Sequence, residues 1–73
     1  MEQTIRAGRY RHFKGKDYRV LHTARHSETL ELYVVYQALY GEGGVWVRPA
    51  AMWRETVVQD GVSQPRFAYL GED

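Results

Sequence analysis

Apolar and polar residues alternate with a period of two along much of this chain, and turn-forming residues interrupt the alternation at short intervals. One face of the first long predicted strand carries Tyr18, Val20, His22 and Ala24. In the following strand, at 31–40, apolar or aromatic side chains occupy both faces. We therefore expect an antiparallel β domain in which the strand at 31–40 is central and buried on both sides.

Turn-forming residues divide the rest of the chain into short elements. The polar stretch 25–29 predicts one hairpin connection, and the glycine-rich stretch 41–44 predicts another. Pro49 suits the first position of a single helical turn over 50–53. Further strands are predicted at 8–13, 45–47, 55–59 and 67–70. Asp60-Gly61 favours a tight turn that returns the chain from 55–59 into the last of these strands.

Five or six short strands in 73 residues favour a small curled antiparallel β-barrel of the SH3-like type, because closure removes exposed sheet edges. The predicted class is mainly β with one short helical turn. We expect one domain over residues 1–73, frayed at about 1–6 and 71–73. No apolar stretch resembles a signal peptide or membrane span, so we expect a cytoplasmic protein without a membrane partner.

Composition and charge narrow the possible chemistry. The chain has no cysteine, which excludes disulfides, thiolate zinc sites and cysteine nucleophiles. The formal net charge of +1 conceals an asymmetry: residues 1–25 hold seven basic and two acidic side chains, whereas residues 26–73 hold three and seven. This split is consistent with a basic face that attracts phosphate or carboxylate groups, and also with basic and acidic strands that pair across a sheet.

Several motifs along the chain resemble one family. They are Gly8-x-Tyr10-x-His12-Phe13-Lys14-Gly15, Tyr18-x-Val20, His26-Ser27-Glu28-Thr29, Val34-Val35-Tyr36-x-x-Leu39-Tyr40, Trp46-Val47-Arg48-Pro49 with Met52, and Pro65-Arg66-Phe67. In this order they resemble the bacterial domain-of-unknown-function family 1653, from Gly8 to about Leu70. Trp53 stands where the family more usually has phenylalanine. The resemblance implies a small stand-alone cytoplasmic domain and implies no activity.

Three side chains suggest acid–base or metal chemistry: His12, His26 and Glu28. In an extended segment His26 and Glu28 point to the same side. The alternative interpretation is a hydrogen-bonded turn in which these side chains satisfy backbone groups. Their spacing matches no recognised metalloenzyme motif, so we assign no metal and no cofactor.

Arginine and aromatic residues suggest ligand binding instead. Arg48 and Arg66 each lie next to a proline, and a guanidinium fork binds carboxylate or phosphate through paired hydrogen bonds. The alternative is an internal ion pair of either arginine with Glu28 or Glu31. Six of the ten aromatic residues are tyrosines, which suit half-exposed stacking positions as well as barrel ends and subunit contacts.

These features predict a non-enzymatic binding module with a concave ligand surface. The surface is formed by Tyr10, His12, His26, Glu28, Tyr36, Trp46, Arg48 and Arg66. Its expected ligand carries phosphate or carboxylate, with nucleotide or RNA as candidates. One alternative is a small hydrolytic enzyme that uses His26 as base or metal ligand, Glu28 as its partner and Arg48 as a charge stabiliser. Another is a protein interaction domain that homodimerises through exposed aromatic residues.

Overall fold

A computed structural model describes residues 5–72, and most of these residues are in strands. The elements in chain order are β1 (Gly8–His12), β2 (Asp17–Arg25), β3 (Leu32–Ala38), β4 (Val45–Pro49), α1 (Ala50–Trp53), β5 (Thr56–Gln59), β6 (Val62–Pro65) and β7 (Phe67–Gly71). The mainly β class, the short helical turn after β4 and the hairpin loops before β3 and before β4 are confirmed.

The strands form one large sheet and one separate hairpin. The large sheet is antiparallel with the order β4-β3-β2-β1-β7, and β5 pairs only with β6. The predicted closed SH3-like barrel is not found, because β4 and β7 remain the two edges of the sheet. Instead, α1 places Trp53 against Phe67, with the two rings stacked at a centroid distance of 3.7 Å. Ring packing, rather than strand pairing, thus brings α1 and β7 together across the core.

The prediction of five or six strands missed β6. Asp60 and Gly61 do form the tight turn, with φ of 54° and 76°, as a two-residue hairpin loop of this kind requires. The strand that follows the turn is Val62–Pro65 rather than the strand predicted at 67–70. Its polar Ser-Gln centre and its proline weaken the apolar alternation from which strands are recognised. The last strand instead pairs with β1 in the large sheet.

A bulge in β2 changes the predicted face of that strand. Val20 lies opposite Tyr36, but the next paired residue, His22, lies opposite Val35. One extra residue therefore shifts the alternation, and His22 and Ala24 lie on the outer face instead of sharing the core face with Val20. The residues of β2 after the bulge are all exposed.

The core lies on the inner face of the large sheet and under α1. Its buried members are Ile5, Tyr10, Val20, Val34, Tyr36, Ala38, Ala50, Trp53 and Phe67. Alternate residues of β3 supply this core, while Tyr33 and Val35 on the other face are only half-buried. The prediction that β3 is buried on both faces is therefore correct for one face only, since no second layer covers the outer face within residues 5–72.

The described ends of the chain are part of the fold. Ile5 is buried in the core, and Gly71 pairs with Arg9. The rest of the expected frayed ends, residues 1–4 and 73, lies outside the described residues. Within the described chain, α1 is far too short to cross a membrane, and it is the one helix there.

Candidate functional site

A group of aromatic and basic side chains gathers on the inner side of the sheet, where the end of β1 meets the beginnings of β2 and β7. We call it the aromatic–basic cluster; it consists of His12, Phe13, Tyr18, Tyr40, Arg48, Arg66 and Phe67. The His12 ring contacts the rings of Phe13 and Phe67 at centroid distances of 4.6 and 4.9 Å. The Tyr18 ring lies 5.7 Å from Phe67 and 5.5 Å from Tyr40.

The turn between β1 and β2 holds His12 in place. The backbone N–H of His12 donates to the carbonyl of Lys16, and Gly15 adopts a φ of 103°, which favours glycine. The Nδ1 atom of His12 accepts a hydrogen bond from the backbone N–H of Lys14 at 3.1 Å. In the neutral ring the proton therefore resides on Nε2, which leaves this N–H as the hydrogen-bond donor of the side chain.

The electrostatic potential at His12 is positive. Burial lowers the pKa of His12 below its ordinary value, and the positive charges of Arg66, Arg48 and Lys14 lower it further. No carboxylate of the described residues is among the causes of this shift. A concentration of cations around a half-buried, neutral imidazole favours the approach of an anion.

Tyr18 and Tyr40 form a neutral pair of hydroxyl groups. Their oxygen atoms are 2.8 Å apart, and either hydroxyl is able to donate. Burial, followed by the hydrogen bond and the charge interaction with Tyr40, raises the pKa of Tyr18 to about 12. Both donor and acceptor capacity therefore remain at the surface of the cluster near neutral pH. The Nζ atom of Lys16 lies 4.6 Å from the centre of the Tyr40 ring.

The two arginines of the cluster differ in how they are held. Arg66 donates from Nη2 to a carboxylate oxygen of Glu55 at 3.0 Å, and its backbone N–H donates to the carbonyl of Glu55 at 2.9 Å. The predicted internal ion pair thus exists for Arg66, but its partner is Glu55 and not Glu28 or Glu31. The hairpin of β5 and β6 explains this, because Glu55 precedes it and Arg66 follows it.

Arg48 is not neutralised in this way. Within residues 5–72 its side chain forms no ion pair and no hydrogen bond. Its guanidinium carbon lies 5.5 Å from the centre of the Phe67 ring, a distance typical of a cation–π contact. The donors of this guanidinium group are therefore available to a ligand.

Tyr36, Trp46 and Tyr10 have different relations to the cluster. Tyr36 is buried beneath it, 5.5 Å from the Tyr18 ring. Trp46 lies opposite Tyr36 in the β3–β4 pairing and is largely exposed. Tyr10 is a core residue that packs edge-on against Trp53 and donates its hydroxyl hydrogen to the carbonyl of Arg6. Tyr36 and Trp46 therefore adjoin the cluster, whereas Tyr10 does not line it.

His26 and Glu28 lie away from the cluster. The Nδ1 atom of His26 accepts hydrogen bonds from the backbone N–H groups of Glu28, at 3.0 Å, and Thr29, at 3.3 Å, which is the geometry of the turn interpretation. β2 separates this turn from His12, and its nine residues span roughly 26 Å. His12, His26 and Glu28 thus do not converge. Among the described residues, no three histidine or carboxylate side chains are placed to share a metal ion.

The residues of the hypothetical hydrolytic site are on opposite sides of the sheet. The His26 ring contacts Tyr33, 6.0 Å away, on the outer face of β3. Arg48 lies opposite Val34 and contacts Phe67, both of which are core residues on the inner face. The sheet therefore separates the proposed base from the proposed charge stabiliser.

Four cluster members were not predicted from the sequence to belong to the ligand surface: Phe13, Tyr18, Tyr40 and Phe67. The available signal was the alternation of aromatic residues with Lys14 and Lys16 near the first turn. Elsewhere in the first third, Asp17 offsets part of the basic excess. Arg11 and Arg9 approach the Asp17 carboxylate at 2.8 and 3.9 Å.

Comparisons with known proteins identify the family. The sequence model of a protein family of unknown function, DUF1653, matches residues 8–69. A crystal structure of a DUF1653 protein from Bordetella bronchiseptica is similar, with 45% sequence identity, coverage of 94% of this chain and 91% of that chain, and a TM-score of 0.86. A comparison with curated proteins gives no match. The resemblance expected from the motifs is therefore confirmed, and the chain belongs to the DUF1653 family.

Proposed function

We propose that this domain is a non-enzymatic binding module whose aromatic–basic cluster captures the phosphate group of a nucleotide, either free or within single-stranded RNA. The observation that carries the proposal is Arg48, whose charge has no carboxylate partner within residues 5–72. A half-buried arginine normally has an internal counter-ion, so an unpaired guanidinium beside exposed rings supports the binding of an external anion.

The surroundings of Arg48 favour phosphate attached to an aromatic base. Lys14 and Lys16 flank the cluster and add positive charge without ion pairs in the described chain. Trp46 lies two residues before Arg48 on the same face of β4, about 7 Å along the strand. With Arg48 on a phosphate, a base attached to it is within reach of the exposed Trp46 ring, and stacking on such rings is a common mode of base recognition.

The site favours binding over catalysis. The charges of Arg66 and Arg48 act on His12 and lower its pKa. However, the Nδ1 atom of His12 already accepts a hydrogen bond from the backbone N–H of Lys14. Among residues 5–72 no carboxylate orients its ring, and a general base of this type usually has such a partner. The cluster therefore supplies donors and stacking surfaces rather than an assembled proton-transfer pair. A cytoplasmic location, as expected from the sequence, would expose it to nucleotides and RNA.

An NMR titration of the labelled domain tests this proposal. Adenosine monophosphate, inorganic phosphate and a short single-stranded RNA are added separately at low and moderate salt. We expect shifts at His12, Arg48 and Phe67 that weaken with salt. Arg48→Ala should weaken binding by at least about tenfold, which is the size of one charge-assisted contact. Inorganic phosphate alone should bind more weakly than the nucleotide.

Arg11→Ala is the matched control, because Arg11 already pairs with Asp17 through a bond of 2.8 Å. It removes the same charge from the domain without touching the cluster, so nucleotide affinity should remain nearly unchanged. If neither nucleotide nor RNA shifts the cluster signals, or if Arg11→Ala and Arg48→Ala weaken binding equally, the proposed site is wrong.

A further inference from the structure

Strand β4 has an exposed edge of an unusual composition. Val45, Trp46 and Val47 are 55%, 60% and 61% exposed, and no charged residue interrupts them. Edge strands of stable monomers are normally protected by lysine, proline or a bulge. Here such protection is confined to Arg48 and Pro49, at the end of the strand. We propose that β4 pairs with β4 of a second copy of this chain across a twofold axis.

The hydrogen-bond pattern of β4 leaves the required groups available. The N–H of Ala38 donates to the carbonyl of Gly44 at 3.0 Å, which fixes the phase of the β3–β4 ladder. In an antiparallel ladder alternate residues direct both backbone groups toward the partner strand. Trp46 and Arg48 therefore face β3, while the N–H and C=O groups of Val45 and Val47 point to the open edge. Two donors and two acceptors spaced by two residues are what a second antiparallel strand needs.

The chain selects one register for this pairing. With the twofold axis at Trp46, Val45 pairs with the partner's Val47 and both residues exchange hydrogen bonds. A twofold axis at Val47 would place Val45 against the partner's Pro49, which has no N–H to donate. A twofold axis at Val45 would require Gly43 in the strand, but Gly43 has a φ of 70° and belongs to the loop. The register centred on Trp46 is therefore the one that satisfies the edge.

The side chains are compatible with the same register. On the inner face the two Trp46 rings meet at the axis, and on the outer face each Val45 meets the partner's Val47. Like charges do not meet, because residues 43–47 carry none. The first charged residues on the two sides, Glu42 and Arg48, have opposite signs, and an antiparallel arrangement directs each toward the other in the partner. Pairing would extend one sheet through both copies.

Analytical ultracentrifugation of the whole chain from micromolar to millimolar concentration tests the dimer. We expect a concentration-dependent dimer for the unmodified chain and a monomer for Val47→Lys, since a lysine on the edge opposes pairing. Val62→Lys is the matched control: Val62 is also 61% exposed but lies in β6, so this variant should still dimerise. A monomer at every concentration, or a Val47→Lys dimer as tight as the unmodified one, would overturn the proposal.

Cysteine cross-linking tests the register, because the chain has no cysteine of its own. Residues at the axis of a non-hydrogen-bonded pair have Cα atoms about 4.5 Å apart, within disulfide reach. Trp46→Cys should therefore form a covalent dimer under mild oxidation. Val45→Cys alone should not, whereas a mixture of Val45→Cys and Val47→Cys should cross-link. Cross-linking of Val45→Cys alone would refute this register, and so would the absence of a cross-link between Val45→Cys and Val47→Cys in the mixture. Neither experiment requires the anion site, so failure of one proposal is distinguishable from failure of the other.

Discussion

Replacing Gly8 with alanine tests the pairing that brings β1 to β7 and thereby places His12 beside Phe67. Gly8 has a φ of 135°, a conformation that residues other than glycine rarely adopt. An added Cβ would also lie 2.4 Å from the carbonyl oxygen of Gly71 and 3.0 Å from the Cα of Glu72. Both atoms belong to the backbone, so the clash is relieved only if β1 and the end of β7 separate.

Gly15→Ala separates the two effects in this prediction. Gly15 has a similar φ of 103°, but apart from its chain neighbours no residue places a heavy atom within 4 Å of the added Cβ. Each substitution carries backbone strain of about 1–3 kcal/mol. Only Gly8→Ala adds a clash, and overpacking of this kind costs roughly a further 1–3 kcal/mol. The expected loss of unfolding free energy is thus about 1–3 kcal/mol for Gly15→Ala and about 2–6 kcal/mol for Gly8→Ala.

Urea unfolding followed by far-UV circular dichroism measures both variants. A domain of this length has a total stability of about 4–11 kcal/mol, so Gly8→Ala should remove a large part of it. In thermal unfolding, each kcal/mol should lower Tm by about 4–8 °C. Equal urea midpoints for the two variants would refute the reasoning, because they would mean that the carbonyl of Gly71 does not confine Gly8.

Two further predictions concern the cluster. The pKa of His12 is below its ordinary 6.5, so the unfolded chain binds a proton first as the pH falls. The contribution of His12 to the unfolding free energy should be complete above about pH 6.5 and should decrease as the pH falls toward and through the folded pKa. His12→Gln should lack this decrease. Urea midpoints measured between about pH 7.5 and 4.5 test both expectations. Tyr18→Phe removes the hydrogen bond to Tyr40 and should lower the unfolding free energy by about 1 kcal/mol or less. A drop of several kcal/mol for Tyr18→Phe would show that the hydroxyl has another buried role.

The sequence was most informative about local structure. Hairpin loops at 25–29 and 41–44, the Asp60-Gly61 turn and the helical turn after Pro49 were all predicted, because each depends on the conformational preferences of a few adjacent residues. The alternation in β3 was also recognised, but both of its faces were expected to be buried and only one is. Family membership was also recognised from motifs distributed over most of the chain.

Predictions that depended on distant contacts were less successful. One extra residue in β2 reversed the faces of His22 and Ala24, and nothing in the alternation marks that position. Closure into a barrel was inferred from the cost of open edges, yet α1 and Trp53 fill the space instead. For the candidate site, His12, Arg48 and Arg66 were identified by residue type, but their association with Tyr18 and Tyr40 was not.

By itself, the sequence determined the mainly β class, the positions of the turns, the absence of cysteine chemistry and the family, because these follow from residue type and from periods of a few residues. Only the tertiary structure decided which strands meet, and therefore which side chains share a site. Phe67 reaches His12 through a strand pairing that closes a loop of more than fifty residues. Such a contact is stabilised by the whole core, so no local pattern encodes it. His26 and Glu28, by contrast, are two residues apart, and a local turn holds them together however the rest of the chain folds.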